Sequence, residues 1–293
     1  MIRKGVASAA DVVLLDLEDA VAPTEKEAAR EAAGRALVEL DWGRTTRAVR
    51  VNAVDSPWCY VDIVEVVRQA GSRLDLLIVP KVRSERDVWF VDTLLTQLER
   101  SLDLADGSIK LEILVEDAMA MASVEALARC CGRIESLVLG TADLAASLGM
   151  PPAAEASEHR VHWEARWQFA RTRLTVASRA AAVQPVDGPW GDINDLEGCR
   201  QDALAARAIG MAGKWVIHPS QIPVVNEVIT PSAQVVADAK ELLEVLVKAE
   251  SVGRGAVQHR GRMVDVAHAR SCRDILLQAE DIRHRDSETP PLA

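Results

Sequence analysis

KLEILVEDA, residues 110–118, is an apolar strand core that runs without a break into two adjacent carboxylates. Such a run suits a strand buried in a parallel sheet, with its terminal acids at the mouth where these folds keep their chemistry. Side chains alternate along a strand, so Glu112, Leu114 and Glu116 share one face while Ile113, Val115 and Asp117 share the other. If Ile113 and Val115 pack under helices, Glu116 points to the interior. The competing reading is a solvated strand end.

Further apolar runs rich in Val, Ile and Leu recur on either side: VVLLDL, RAVRVN, LDLLIVPKV, SLVLG, AAVQPVD and KWVIHP. With KLEILVE they make seven strands, separated by helix-like segments at the interval of a βαβ unit, about 30 residues or somewhat more. That alternation predicts a parallel sheet in an α/β fold. PTEKEAAREAAGRALVEL reads as a helix with an acidic first turn, as do ASVEALARCCGRI and DLEGCRQDALAARAIG, the last ending at Gly210 as its C-cap. After the polar loop PPAAEASEHR, the helix VHWEARWQFARTRLTVASRAA carries Trp163, Trp167 and Leu174 on related faces, which reads as core or interface packing. ITPSAQVVADAKELLEVLVKAESVGRG starts at Thr230 as N-cap before Pro231. A short hairpin, a helix and a polar tail follow. The expected boundaries are a barrel over 1–229, an extension over 230–283 and a disordered tail over 284–293.

At 293 residues and 49% hydrophobic, the chain can bury a large core, as one barrel or as two smaller domains. A net charge of -10 argues against a nucleic-acid binder that works by neutralising phosphates. Five scattered cysteines without CxxC spacing point to a reduced, cytoplasmic protein. No run reaches the ~18 apolar residues that a membrane span needs, and the start lacks a secretory h-region.

Four strand ends carry polar residues that packing does not need: Asp16, Glu18 and Asp19 in DLEDAVAP, Arg50 in VRVN, Glu116, and Asp143 in GTADLAASLG. Together they put several carboxylates and one guanidinium on one rim. Carboxylate oxygens suit Mg²⁺, which takes one or two of them and keeps water or substrate on its other positions. No histidine cluster favours zinc. Arg50 suits a carboxylate or a developing enolate. Taken singly, Arg50 also reads as an ion-pair partner of Asp16 or Glu18, and Asp143 as a helix N-cap.

In this order DLEDAVAP, VRVN, PKV, the strand ending at Glu116, GTADLAASLG, VDGPWGDINDLEG, GKWVIHPSQI and GRMVD resemble the citrate lyase β-subunit-like (HpcH/HpaI aldolase) family of CoA-ester lyases. VDGPWGD and GKWVIHPSQIPVVNEVITP look most like its malyl-CoA and β-methylmalyl-CoA lyases. The resemblance covers about Ala7 to Ala279. It implies a TIM-type (β/α)₈ barrel with a C-terminal extension, a homotrimer or homohexamer, Mg²⁺ with Mn²⁺ as an alternative, and reversible Claisen-type cleavage of a 3-hydroxyacyl-CoA. Malyl-CoA would then give acetyl-CoA and a 2-oxo acid such as glyoxylate. Carried over by position, Glu116 and Asp143 match the metal ligands, and Glu18 and Asp19 match acids that support the metal through water. Arg50 matches the substrate-contacting arginine. Gly140, Thr141, Ala142 and Asp143 would offer backbone N–H groups to the glyoxylate carboxylate. Asp265 matches a catalytic acid supplied by a neighbouring subunit, while Lys4 and His218 match positions near CoA, His218 as a structural residue. Citramalyl-CoA or citryl thioester cleavage, malyl-CoA hydrolysis and a non-catalytic CoA binder are the alternatives.

Two departures from the family stand out. Its opening strand has no counterpart here, because Met1 falls in the helix that follows that strand; either the chain start is placed too late or the barrel is incomplete, with its neighbouring strands exposed as edges. The segment after the metal glutamate carries Asp117 and Met119, and this extra acid either alters substrate choice or faces outward.

Overall fold

The computed structural model describes residues 2–151 and 163–287. Seven strands form one all-parallel sheet in chain order: β1 (Val12–Asp16), β2 (Thr46–Arg50), β3 (Leu76–Val79), β4 (Lys110–Val115), β5 (Ile134–Leu139), β6 (Gln184–Asp187) and β7 (Gly213–Lys214). All seven apolar runs are therefore strands, and helices join consecutive ones as parallel pairing requires. This is the α/β architecture expected from the sequence. The register places Leu14 beside Ala48, Ala48 beside Leu76, Leu114 beside Val138, and Val138 beside Val186.

Alternation divides the strand residues between two apolar layers. Leu15, Val49, Leu77, Ile113, Val115 and Leu137 join the large core shared with the helices. Ala48, Leu76, Ile78, Leu114 and Val138 form a separate cluster on the other face, with Leu14, Val186 and Trp215 packed against it. Ile113 and Val115 thus lie under helices, and Glu112, Leu114 and Glu116 face the inner side.

The helices follow their apolar periodicity, with local differences. Pro23–Glu25 is a 3₁₀ turn that leads into the helix Lys26–Glu39. Of the segment expected as one helix over 122–134, only Val124–Leu127 is a helix of its own; Ala122 ends the preceding short helix Ala118–Ala122, and Ile134 opens β5. Gly210 follows the helix Leu196–Ala208 at φ +90°, a conformation that glycine adopts without strain. The helix Trp163–Ala180 buries Trp167 and Leu174 in the large core, as a packing role requires; the Trp163 side chain and residues 152–162 lie outside the described residues.

The chain divides into two compact units, Met1–Val225 and Asn226–Ala293. In the second, the helix Ala233–Ser251 is capped by Ser232, whose hydroxyl accepts from the Val235 N–H. The cap therefore falls two residues after the expected Thr230, because the helix starts beyond Pro231. Strands β8 (Ala256–His259) and β9 (Arg262–Asp265) form the expected hairpin. Its two turn residues, Arg260 and Gly261, both have positive φ, as a type I′ turn demands. The last helix runs over Val266–Ser287, so the chain is helical where a tail was expected from residue 284. Residues 288–293 of that tail lie outside the described residues. Among the described residues no helix is long and apolar enough to cross a membrane.

Candidate active site

The carboxyl ends of β1 to β5 assemble a charged rim. Asp16 ends β1 and holds Arg50, at the end of β2, through two hydrogen bonds, Nε to Oδ1 at 2.8 Å and Nη2 to Oδ2 at 2.5 Å. Arg50 Nη1 lies 3.2 Å from Glu18 Oε2. Burial alone would raise the Asp16 pKa, but the hydrogen bonds and charge of Arg50 win and hold it below the usual carboxylate range. The ion-pair reading of Arg50 is therefore correct as geometry. The same pairing fixes the guanidinium among the acids.

Glu116 follows β4 and is only 4% exposed. Its Oε1 accepts the Lys81 N–H at 2.7 Å. Gly140, after β5, packs so close that a Cβ there would stand 2.4 Å from Glu116 Cβ and 2.6 Å from Oε2. Burial, with the charges of Asp143 and Glu18 behind it, pushes the Glu116 carboxyl up to about 7 against the opposing Lys81 N–H and Arg50. Asp143 sits in the first turn of the helix Thr141–Ser147, whose N-cap is Gly140, so Asp143 is not the cap. The first N–H groups of that helix, at Thr141, Ala142 and Asp143, have no carbonyl partner of the helical kind.

Lys81 was not singled out from the sequence, yet it ties the rim together. Its backbone N–H binds Glu116, its Nζ lies 2.6 Å from Glu18 Oε1, and Nζ also donates to Asp19 Oδ1 and Oδ2 at 2.9 and 2.8 Å. Its φ of +51° is rare for a residue with a Cβ and lets backbone and side chain serve different acids. PKV alone carries no sign of this conformation. Asp117 faces elsewhere: Oδ1 caps the helix Ala118–Ala122 by accepting the Met119 N–H, and Oδ2 lies 3.5 Å from Arg83 Nε.

A second group also escaped the sequence reading. Arg171 and Lys214 are buried with Asp187 and Asp202: Arg171 donates to both acids, and Lys214 Nζ donates to Asp187 and Asp202 at 2.5 Å and to the Gly188 carbonyl at 2.6 Å. Gly188 in turn rests on the end of β5, where a Cβ would come within 2.3 Å of the Leu139 carbonyl oxygen and 3.2 Å of Thr141. Two cations and two anions, spread over more than 40 residues of sequence, thus brace the backbone that starts the Asp143 helix.

The remaining expected residues are dispersed. Lys4 is exposed on the helix Ile2–Val6, and none of its described contacts joins it to the acids. His218 is exposed and caps the turn Pro219–Gln221, its Nδ1 accepting from the Ser220 N–H at 3.2 Å, which suits a structural role. In the second unit Asp265 ends β9, half-exposed, with Oδ1 2.9 Å from His268 Nδ1, and that hydrogen bond lowers its pKa.

The donor set fits a hard divalent cation. Glu116 and Asp143 would supply carboxylate oxygen, and Glu18 and Asp19 stand beside them, both held by the Lys81 ammonium, with Glu18 Oε1 2.6 Å from Nζ. Among the described residues no three His, Cys, Asp or Glu side chains converge as a complete metal cage. Mg²⁺ does not require one, since it keeps water or substrate on most positions.

A family model described as HpcH/HpaI aldolase/citrate lyase matches residues 1–219. The chain is 41% identical over 291 residues to the L-malyl-CoA/β-methylmalyl-CoA lyase of Cereibacter sphaeroides, covering 96% of this chain and 91% of that one. It is similar in structure to the protein CitE from Mycobacterium tuberculosis in complex with magnesium, acetoacetate and coenzyme A, at 30% identity and a TM-score of 0.73, covering 95% and 92% of the two chains. A citrate lyase from Burkholderia xenovorans shares the fold at a TM-score of 0.80 and 22% identity, covering 92% and 83%.

Proposed function

The chain belongs to the HpcH/HpaI aldolase/citrate lyase family, and from that premise we propose that it is a Mg²⁺-dependent CoA-ester lyase. The reaction proposed is reversible cleavage of a 3-hydroxyacyl-CoA such as malyl-CoA into acetyl-CoA and glyoxylate, in the cytoplasm. The observation that carries this reading is the convergence of Glu116, Glu18, Arg50 and Lys81 at successive strand ends.

Glu116 and Asp143 would hold the ion, whose positive charge polarises oxygen on the 2-oxo acid. The N–H groups of Thr141 to Asp143 receive that acid's carboxylate. Arg50, fixed by Asp16, stabilises the enolate oxygen of the acetyl thioester, where charge develops as the C–C bond breaks. Asp265, supplied by a second copy in a homotrimer or homohexamer, moves the proton at the enolate carbon. Lys4 and His218 are the candidates for polar groups of CoA.

Purified protein with acetyl-CoA, glyoxylate and Mg²⁺ should form malyl-CoA, and a chelator should stop it. Glu116→Gln and Asp143→Asn should each abolish metal-dependent turnover while the fold is retained. Absence of condensation in the intact protein overturns the proposal; turnover that survives both substitutions overturns the metal site.

A further inference from the structure

Beneath Glu116, on the same face of β4, lies Glu112, only 5% exposed. Its Oε2 is 2.5 Å from Ser136 Oγ, and its Oε1 accepts from Trp215 Nε1 at 3.1 Å. Ser136 is its register partner on the adjacent β5. Trp215 is different: it follows β7, three strands away in the sheet order. Its indole therefore reaches over the inner face of the sheet to meet Glu112. There it packs against the cluster of Ala48, Ile78, Leu114 and Val138. Trp215 as a whole is partly exposed. Its backbone N–H donates to the Asp187 carbonyl at 2.9 Å, and the residue after Asp187, Gly188, lies against Leu139 and Thr141, so Trp215 leaves the sheet at the level of the rim and its indole enters the inner face from there.

Packing alone does not explain this arrangement. An apolar side chain at 112 would fill the space without the cost of burying a carboxyl group. The hydrogen bond instead restrains the ring, because an indole that shifts leaves both Nε1 and Oε1 unpaired in a buried place. We infer that the Trp215 indole, positioned by Glu112 and Ser136, is the floor of the acyl pocket and sets how much bulk the two reacting carbons can carry. This rests on the lyase reading above. Propionyl-CoA differs from acetyl-CoA by one methyl on the attacking carbon, and pyruvate differs from glyoxylate by one methyl on the attacked carbon. A rigid apolar wall discriminates one methyl by about 10- to 200-fold.

The experiment measures kcat/KM for condensation with both pairs. Trp215→Phe shortens the plate and removes its tether, and Glu112→Leu removes the tether alone. Each should raise the branched-to-unbranched ratio about tenfold for at least one pair. Glu112→Gln keeps a carbonyl acceptor for Trp215 and a donor for Ser136, so it should hold the wild-type ratio. A merely structural role would lower all four activities together. Folded Trp215→Phe protein with both ratios unmoved overturns the inference and leaves the lyase reading intact. Wild-type protein inert towards all four reactants overturns the reading, and this inference with it.

Discussion

Replacing Glu112 by Gln should remove a large pH dependence from the stability of the first unit. Burial pushes the Glu112 carboxyl up to about 7, against the opposing pull of the hydrogen bonds from Ser136 and Trp215. In the unfolded chain a glutamate ionises near 4.5. Between these two values the folded protein holds a proton that the unfolded chain has released, so the acid's stabilising contribution is complete below about 4.5 and is lost as pH rises through about 7. At about 1.4 kcal/mol for each pH unit of separation, the full effect is about 3 kcal/mol, of which about 2 to 3 kcal/mol falls between pH 5 and pH 8. Glutamine cannot titrate, so its stability relative to wild type should rise by that amount over the same interval. Glu116, whose carboxyl is also pushed up to about 7, is common to both proteins and cancels in the difference. Urea unfolding at a series of pH values, followed by tryptophan fluorescence, measures it. The infrared carbonyl band of protonated carboxyl groups at pH 6 should be weaker in Glu112→Gln than in the wild type, with Glu116 supplying what remains, which is an independent check. A stability difference flat to within about 0.5 kcal/mol from pH 5 to pH 8 would refute the reasoning.

Gly140→Ala places a methyl 2.4 Å from Glu116 Cβ, so the two must part by about 1 Å to reach ordinary contact, and a misplacement of that size at a reacting centre should cost about 100-fold in turnover; wild-type kcat in that variant would show that the close approach is unimportant. Lys214→Met leaves two buried carboxylates, Asp187 and Asp202, sharing only Arg171. It should destabilise the fold by about 3–5 kcal/mol, and an unchanged thermal midpoint would contradict this. If Asp265 serves a neighbouring copy, inactive Asp265→Asn and inactive Glu116→Gln chains should regain activity when co-assembled, and mixed oligomers that stay silent would place Asp265 outside the shared site.

Much of the scaffold is legible in the chain because strands buried on both faces must be apolar throughout, and all seven such runs are strands. Alternation along β4 likewise assigns Glu116 to the inner side once Ile113 and Val115 are seen under helices. Local chemistry is less legible. The helix that periodicity extends over 122–134 stops at Leu127, and the cap beyond Pro231 is Ser232.

The sequence by itself determined the strand-helix order and the acids at the strand ends, because periodicity and burial are properties of neighbouring residues, while the side of the sheet on which Glu116 lies waited on the packing of Ile113 and Val115 under helices. Only the tertiary structure decided how those acids are partnered. Lys81 bridges Glu116, Glu18 and Asp19 through a backbone conformation that a lysine rarely adopts. Trp215 reaches Glu112 across 103 positions, and Arg171, Asp187, Asp202 and Lys214 neutralise one another away from water. Such contacts are set by charge and desolvation between residues distant in the chain, where no sequence period records them.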